Sequence, residues 1–208
     1  MKNGFNFIVD LLPTRIGSLT LDTRACCALA VTLKLNEECS LEEKIRYACE
    51  RLFSMSYEAS LENSGLTEEE FNRQVEAYLS GATPVKSWKE LHSDSKQEKT
   101  TSYRKPDFDF VQDSGSIVSA FRQVYGMSLD EVCETHWWEF LALFNNLPYE
   151  GTAFASKIQI RNMKIESNDT PERKQQIREA KKAVELKDTR SPSQKKADFQ
   201  KQVDSLEL

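Results

Sequence analysis

The apolar residues near the start of the chain follow a strand-like period. Phe5, Phe7 and Val9 recur at every second position, which is typical of a β-strand. Residues 12–21 then predict a β-hairpin, because Gly17-Ser18 is suited to a two-residue turn between two apolar stretches. We therefore expect a small β-element in the N-terminal part of the chain.

Three helices are predicted after the hairpin, because apolar residues recur there at spacings of three and four. The first follows residues 22–23, either of which is a suitable N-cap. The other two open on capping boxes, which are Ser40-x-x-Glu43 and Thr67-x-x-Glu70. The apolar stripe of the second helix consists of Leu41, Ile45, Ala48, Cys49, Leu52 and Phe53.

The stretch after residue 107 predicts four more helices. One runs from about Asp113 to Tyr125, and the next opens on a third capping box at Ser128-x-x-Glu131 and stops at residues 145–148. One face of that helix carries Val132, His136, Phe140, Leu143, Phe144 and Leu147. Two further helices begin at Thr152 and Pro171, and the last continues to about Lys187. In total we expect six or seven helices.

Charge divides the chain into two acidic blocks and two basic stretches. The net charge is −5 for residues 1–82, +3 for 83–106, −4 for 107–165 and +1 for 166–208. The acidic blocks contain nearly all of the apolar residues. We predict a mainly α fold, a multi-helix body with a small N-terminal β-hairpin. Its segments are residues 1–82 (hairpin and three helices), 83–106 (flexible linker), 107–187 (helical region) and 188–208 (polar tail).

Composition excludes several classes of protein. The 208 residues carry 28 Lys and Arg against 33 Asp and Glu, whereas a general nucleic-acid binder has a basic excess. No apolar run approaches the roughly 18 residues that a membrane span requires, and no secretory signal is recognisable. We expect a soluble, intracellular protein with neither nucleic acid nor membrane as a partner.

The cysteines do not indicate a disulfide framework or a zinc site. Their number is odd, and no two of them have the C-x-x-C spacing of a zinc knuckle. They are Cys26, Cys27, Cys39, Cys49 and Cys133. We expect reduced thiols that pack as small apolar groups, and neither a metal nor a cofactor.

Two clusters could carry chemistry, and each has a plainer interpretation. Cys133 and His136 lie close together on one predicted helical face, but a histidine on such an apolar face is more often a core or interface residue than a catalytic base. Asp107, Asp109 and Asp113 could bind a hard cation, although they lack the glycine and the final glutamate of a calcium loop. Solvated carboxylates near a helix start are the plainer interpretation. No catalytic residue is predicted, and we do not expect an enzyme.

Trp137 and Trp138 are consecutive, so their side chains point about 100° apart on a helix. Both cannot face one narrow core. Either one of them contacts a second domain or another chain, or several helices enclose both in a wide core. The sequence leaves these alternatives open.

A series of motifs runs from Phe108 to Met163. It comprises an acidic Phe-Asp start, a helix ending in Ala-Phe-x-x-x-Tyr-Gly, then Ser-Leu-Asp, His-Trp-Trp-x-Phe-x-x-Leu and a closing Ile-x-Ile-Arg. This series resembles the bacteriophage Gp-fifteen family, and Leu12-Pro13 and Asp22-Thr23-Arg24 are similar to its opening. The matching residues are Phe108, Asp109, Asp113, Ala120, Phe121, Tyr125, Gly126, Leu129, His136, Trp137, Trp138, Phe140, Leu143, Leu147, Ile160 and Arg161. Together these stretches span about two-thirds of the chain.

The resemblance implies a role in tail morphogenesis of siphophages and prophages. It favours a non-enzymatic tail-assembly chaperone that binds the tape-measure protein, the tail-tube protein or both, works in the cytoplasm of the bacterial host and is absent from the mature virion. The alternatives are a structural component of the tail and a phage protein that binds a host factor. An oligomer is left open. The expected partner-binding or core platform consists of Phe121, Tyr125, His136, Trp137, Trp138 and Phe140.

Overall fold

The computed structural model describes residues 11–81 and 107–188, and most of these residues are helical. The two strands are β1 (Arg15–Ile16) and β2 (Leu19–Thr20). The helices described are α1 (Ala25–Leu35), α2 (Leu41–Phe53), α3 (Tyr57–Ser64), α4 (Glu68–Ser80), α5 (Ser114–Tyr125), α6 (Leu129–Glu134), α7 (Trp137–Asn145), α8 (Ala153–Asn162) and α9 (Pro171–Ala183). The prediction of a mainly α fold with a small N-terminal hairpin is confirmed. The strand predicted at residues 5–9 lies outside the described residues.

The hairpin turns at Gly17-Ser18, as the sequence predicts. β1 and β2 pair antiparallel, with Ile16 opposite Leu19. The turn lies against the end of α3, because the Ser18 amide donates to the Ser64 carbonyl at 2.9 Å. Gly17 has φ of 55°, and a Cβ there would lie 2.2 Å from that same carbonyl oxygen. Only glycine therefore fits at the first position of this turn.

Hydroxyl side chains start most of the helices. In each case the oxygen accepts a hydrogen bond from the backbone amide three residues later, and the residues are Ser40, Ser56, Thr67, Ser128, Thr152 and Thr170. The predicted capping boxes at Ser40 and Ser128 are complete. The box predicted at Thr67 is only half formed, since Glu70 instead accepts hydrogen bonds from Arg73 and Gln74.

The described residues form two compact units. The first contains the hairpin, α1 to α4, α6 and α7, and the second contains α5, α8 and α9. In the first unit α1 packs against α2, α6 and α7, while in the second α8 packs against α5 and α9. The helix with the two tryptophans thus belongs with the N-terminal helices. The predicted segment boundaries at residues 82, 106 and 187 stay predictions.

Nine helices are present in the described stretches, more than the six or seven expected, and one reason is a break at Thr135 and His136. Both residues are extended there, so the helix predicted from Ser128 onward is two helices, α6 and α7. The Ala25 amide donates to the Thr135 carbonyl and the Trp137 amide to the Thr23 carbonyl, each at 2.8 Å. The prediction of one helix is wrong because these backbone groups pair with a segment more than 100 residues earlier. The other reason is α3, a short helix that the apolar pattern did not indicate.

Candidate functional site

An apolar groove of about 560 Å³ lies on the first unit. Two helices supply most of its lining, and the end of α1 and the start of α3 complete it. α2 contributes Leu41, Lys44, Ile45, Ala48 and Cys49, and α4 contributes Phe71, Asn72, Val75, Glu76, Leu79 and Ser80. Thr32 and Leu35 come from α1, and Tyr57 comes from α3.

The groove exists because the apolar stripe of α2 is longer than the core that it covers. The inner part of the stripe, from Ala48 to Phe53, is buried in the first unit. The outer part continues into the groove, where Leu41 is 71% exposed. On α1, Leu35 is 39% exposed in the same groove. Large apolar side chains that line one concave surface and stay in contact with water are typical of a binding site.

Polar groups lie at the edges of the groove. The Tyr57 hydroxyl donates to Glu68 Oε1 at 3.1 Å, and Asn72 Nδ2 donates to that hydroxyl at 3.3 Å. Burial raises the pKa of the Tyr57 hydroxyl, so it stays a neutral donor. Lys44 and Glu76 are the charged residues that line the groove itself. The interior of the groove is thus apolar and its charges are peripheral.

The two tryptophans anchor the end of α4, which forms one wall of the groove. Trp137 Nε1 donates to the Leu79 carbonyl at 3.0 Å, and Trp138 Nε1 donates to the Tyr78 carbonyl at 2.8 Å. Carbonyls in the last turn of a helix lack partners within the helix. The two indoles donate to two of these carbonyls, of which that of Tyr78 also accepts from the Gly81 amide. The Trp138 ring also stacks on Tyr78 with centroids 6.4 Å apart. The tryptophans therefore position the groove wall.

His136 holds the start of the tryptophan helix in place. It is the N-cap of α7, where its Nδ1 accepts from the Trp138 amide at 3.1 Å. Its Nε2 lies 2.9 Å from the Pro13 carbonyl, which can only accept, so the proton resides on Nε2. Both ring nitrogens are occupied by backbone groups. The histidine is a structural link between α7 and the segment that leads into the hairpin.

The six residues of the predicted platform are divided between the two units. His136, Trp137, Trp138 and Phe140 belong to the first, and Phe121 and Tyr125 on α5 belong to the second. Trp137, Phe140 and Phe121 are buried, and the Trp137 and Phe140 rings stack with centroids 5.6 Å apart. None of the six lines the groove. Sequence reasoning missed the groove because its residues have the same helical spacing as core residues.

Comparison with protein families gives a match to the bacteriophage Gp15 protein over residues 14–186. The chain belongs to this phage family. The predicted membership is thereby confirmed, and the matched range contains the groove and both tryptophans. No similar curated protein and no similar solved structure was found.

Two of the motifs that carry the Gp15 resemblance meet in the first unit. Asp22-Thr23-Arg24 lies beside the His-Trp-Trp motif, since Arg24 and His136 form an isolated antiparallel bridge. The Arg24 side chain donates to Asp22 Oδ1 through Nε at 2.9 Å and to Oδ2 through Nη2 at 2.6 Å, and its Nη1 also donates to Glu134 at 3.4 Å. The hydrogen bonds from Arg24 to Asp22 lower the pKa of Asp22 to about 2. The motifs thus form one structural junction, although they are far apart in the sequence.

Two other Gp15-like residues, Asp113 and Arg161, form a buried ion pair in the second unit. The two terminal nitrogens of Arg161 donate to the two carboxylate oxygens of Asp113 at 2.7 and 2.8 Å. The expectation of solvated carboxylates is wrong for Asp107, which is 8% exposed, and for Asp113, which is 1% exposed. Burial raises the pKa of Asp113, but the hydrogen bonds and positive charges of its partners outweigh burial and keep the pKa below the usual value.

Arg161 also ends the last helix of the second unit. Its Nε donates to the Val184 carbonyl at 2.6 Å, and its Nη1 donates to the Asp107 carbonyl at 3.1 Å. The sequence predicted that this helix continues to about Lys187, but α9 ends at Ala183. The carbonyl that follows the helix is bound to the guanidinium, which fixes the chain direction there.

The residues with potentially reactive side chains have structural roles. Cys133 lies on α6, and burial raises the pKa of its thiol, which opposes the formation of a nucleophilic thiolate. Burial and the neighbouring Asp22 carboxylate raise the pKa of Cys27 to about 12. Within residues 11–81 and 107–188, no group of three or more His, Cys, Asp or Glu could hold a metal ion. In the same ranges, no helix has the length and apolarity to cross a bilayer.

Proposed function

We propose that this protein is a non-enzymatic tail-morphogenesis protein, an assembly chaperone that binds the tape-measure protein, the tail-tube protein or both. The observation that carries the proposal is the apolar groove between α2 and α4. Membership of a phage family supports a role in phage production. The resemblance of the sequence motifs to this family supports a role in assembly of the tail.

The groove suits an apolar helical client. Helical segments bind in apolar grooves through residues spaced three and four apart along one face. A long helical tape-measure protein exposes such faces until the tail tube encloses it. A chaperone that covers them for a time needs apolar surface more than reactive groups, and the groove provides that surface.

A non-enzymatic role is consistent with the polar groups of the first unit. Both ring nitrogens of His136 form hydrogen bonds with backbone groups. Burial raises the pKa of the Cys49 and Cys133 thiols. A general base or nucleophile needs a free and correctly ionised group. These residues therefore support a binding protein.

The chaperone role implies a cellular location. The protein acts in the cytoplasm of the bacterial host and leaves before the particle is complete. A tagged chain isolated late in phage production is expected to bring tape-measure or tube protein with it. Mass spectrometry of purified virions, done in parallel, is expected to find the chain absent.

A pair of variants connects this experiment to the groove. Ile45→Glu places a charge in the lining of the groove and is expected to abolish co-purification of the client. Leu129→Glu is the control, because Leu129 is 54% exposed in the same unit and lies outside the groove. Stoichiometric amounts of the chain in virions would make it a structural tail component. Co-purification of a bacterial protein without tail proteins would make it a host-directed factor.

A further inference from the structure

The surroundings of the groove are strongly acidic. Residues 36–80, which include α2, α3 and α4, carry eleven acidic and four basic side chains, a net charge of −7. That is more than the −5 of the whole chain, so the negative charge is concentrated on the helices that build the groove. A local field of this kind attracts and orients a partner of opposite charge.

We propose that the groove binds one amphipathic helix of a partner protein, and that lysine or arginine residues flank the apolar stripe of this helix. The inference rests on the proposed function, because the partner is the client of the chaperone. It adds the chemical character of the client segment and the surface that recognises it.

The shape of the groove supports a helical occupant. Its α4 wall runs from Phe71 to Ser80 and its α2 wall from Leu41 to Cys49, and each wall is a single helical stripe. At 1.5 Å per residue these walls extend for about 13 Å, the length of two to three turns of a bound helix. The two-residue strands of the hairpin offer little edge for an added strand, so the groove is the better surface for a peptide.

The charges at the edge of the groove support basic flanks. Glu76 lines the groove, and Glu68 accepts the hydrogen bond of the Tyr57 hydroxyl, which also lines it. Glu69 lies seven residues before Glu76 and therefore on the same face of α4. Among the described residues these three carboxylates form no salt bridge, whereas Glu70 is paired with Arg73.

A partner without positive charge would lose on binding part of the water around these carboxylates and gain nothing for it. Lysine or arginine beside the apolar stripe supplies counter-charges on the α4 side of the groove, whereas on α2 the charged lining residue is Lys44. Such rim charges act mainly on association rate and on partner choice. The apolar interior supplies the affinity and the acidic rim selects the client.

The test uses the full chain and two synthetic amphipathic peptides of about four helical turns. The peptides share one apolar stripe and differ only in having lysine or glutamate on the polar face. Fluorescence anisotropy gives the Kd of each. We expect the lysine peptide to bind at least about tenfold more tightly at low salt, and this preference to shrink between about 50 and about 300 mM NaCl. Equal affinities for both peptides would overturn the inference.

Two double variants locate the charge effect. Glu69→Lys with Glu76→Lys is expected to reverse the preference in favour of the glutamate peptide. Glu62→Lys with Glu139→Lys changes the net charge equally at exposed positions of the first unit outside the groove, and is expected to keep the preference. Circular dichroism and thermal unfolding verify that both fold. A reversal in the control would show that net charge, and not the groove, selects the peptide, and would overturn the inference.

The inference and the proposed function fail in different ways. If tail proteins co-purify with the chain but the glutamate peptide binds as well as the lysine peptide, the inference fails and the chaperone function stands. If the lysine peptide binds and Ile45→Glu abolishes its binding, but the chain is abundant in virions, the chaperone function fails and the groove assignment stands. Self-association through the groove, measured by sedimentation and lost in Ile45→Glu, would show a second copy as the occupant and would overturn the inference.

Discussion

The two units fix their helices with different polar chemistry. In the first unit the neutral indole N–H groups of Trp137 and Trp138 donate to carbonyls at the end of α4. In the second unit the guanidinium of Arg161 makes four hydrogen bonds, two of them to the buried Asp113 carboxylate. The first unit surrounds its polar contacts with large aromatic rings. In the second unit α9 adds little apolar contact, since among its residues only Ile177 is buried.

This difference has a physical consequence. Removing a neutral donor leaves a neutral carbonyl without one hydrogen bond, whereas removing the main cation from a buried carboxylate leaves a poorly compensated charge. The second unit is therefore more vulnerable to a single polar substitution. The first unit surrounds its indole contacts with buried rings such as Phe140. It also has an apolar groove on its surface.

The largest expected effect is that of Arg161→Met. It removes the bidentate cation of the buried Asp113 carboxylate, which then keeps Lys157 Nζ, at 3.7 Å, as its cation. It is expected to lower the free energy of unfolding by about 3–5 kcal/mol, measured by urea denaturation. Arg122→Met is the control, because Arg122 is exposed on α5. Adding Asp113→Leu to Arg161→Met removes the buried charge that has lost its main partner and is expected to restore part of the loss. A loss below about 1 kcal/mol in the single variant would contradict the importance of the pair.

Phe140→Ala tests the aromatic part of the first unit. Phe140 is buried between Trp137 and Phe144, so truncation leaves a cavity and is expected to cost about 3–5 kcal/mol of unfolding free energy. Leu129→Ala, at an exposed position of α6, is expected to change stability by less than about 0.5 kcal/mol. If Phe140→Ala were equally mild but lost client binding, Phe140 would be an interface residue and not part of the core.

Trp138→Phe is expected to have a smaller effect. It retains an aromatic ring beside Tyr78 and removes only the indole donor, which is worth about 0.5–1.5 kcal/mol. The Tyr78 carbonyl still accepts from the Gly81 amide, which limits the loss. Hydrogen exchange is expected to speed up at the end of α4 and to stay unchanged in α9. Unchanged exchange in α4 would show that the indole does not hold this wall of the groove.

The smallest expected effect is the dependence of stability on acidic pH that the Asp113 ion pair causes. The pKa of Asp113 in the folded protein lies below its usual value of about 3.9, so its stabilisation is fully present above that value. The stabilisation is lost as pH falls through the lowered pKa. Unfolding free energies measured between about pH 5 and about pH 2.5 are expected to fall more steeply for the natural chain than for Asp113→Asn. Asp130→Asn is the control and is expected to follow the natural chain. Parallel pH curves for the natural chain and Asp113→Asn would contradict this linkage.

Local sequence was sufficient for the elements that local chemistry determines. Gly17-Ser18 identified the hairpin turn, and Ser40 and Ser128 identified two helix starts, because a turn and a cap depend on residues within four positions. The break at Thr135 and His136 was not predictable in this way. It depends on backbone hydrogen bonds to Thr23 and Ala25, and no helical period contains that information.

The site was less predictable than the fold. The sequence predicted tryptophan and phenylalanine residues as a partner-binding or core platform. Trp137 and Phe140 are buried, and Trp138 donates a hydrogen bond to α4. The groove is instead lined by residues such as Ile45 and Val75, whose spacing is the same whether a helix faces a core or a partner. One signal was present in the sequence, the high density of glutamate from residue 36 to residue 80. It gains meaning only once the walls of the groove are known.

The indole anchors of α4 also determine when the groove is complete during synthesis of the chain. Trp137 follows Leu79 by 58 residues and Trp138 follows Tyr78 by 60, with the helix α5 of the other unit encoded between them. At a translation rate of about 5–20 residues per second, α4 emerges about 3–12 s before its anchors. During that interval the nascent chain exposes the groove helices without the group that fixes them. The groove is thus complete only after translation has passed residue 138.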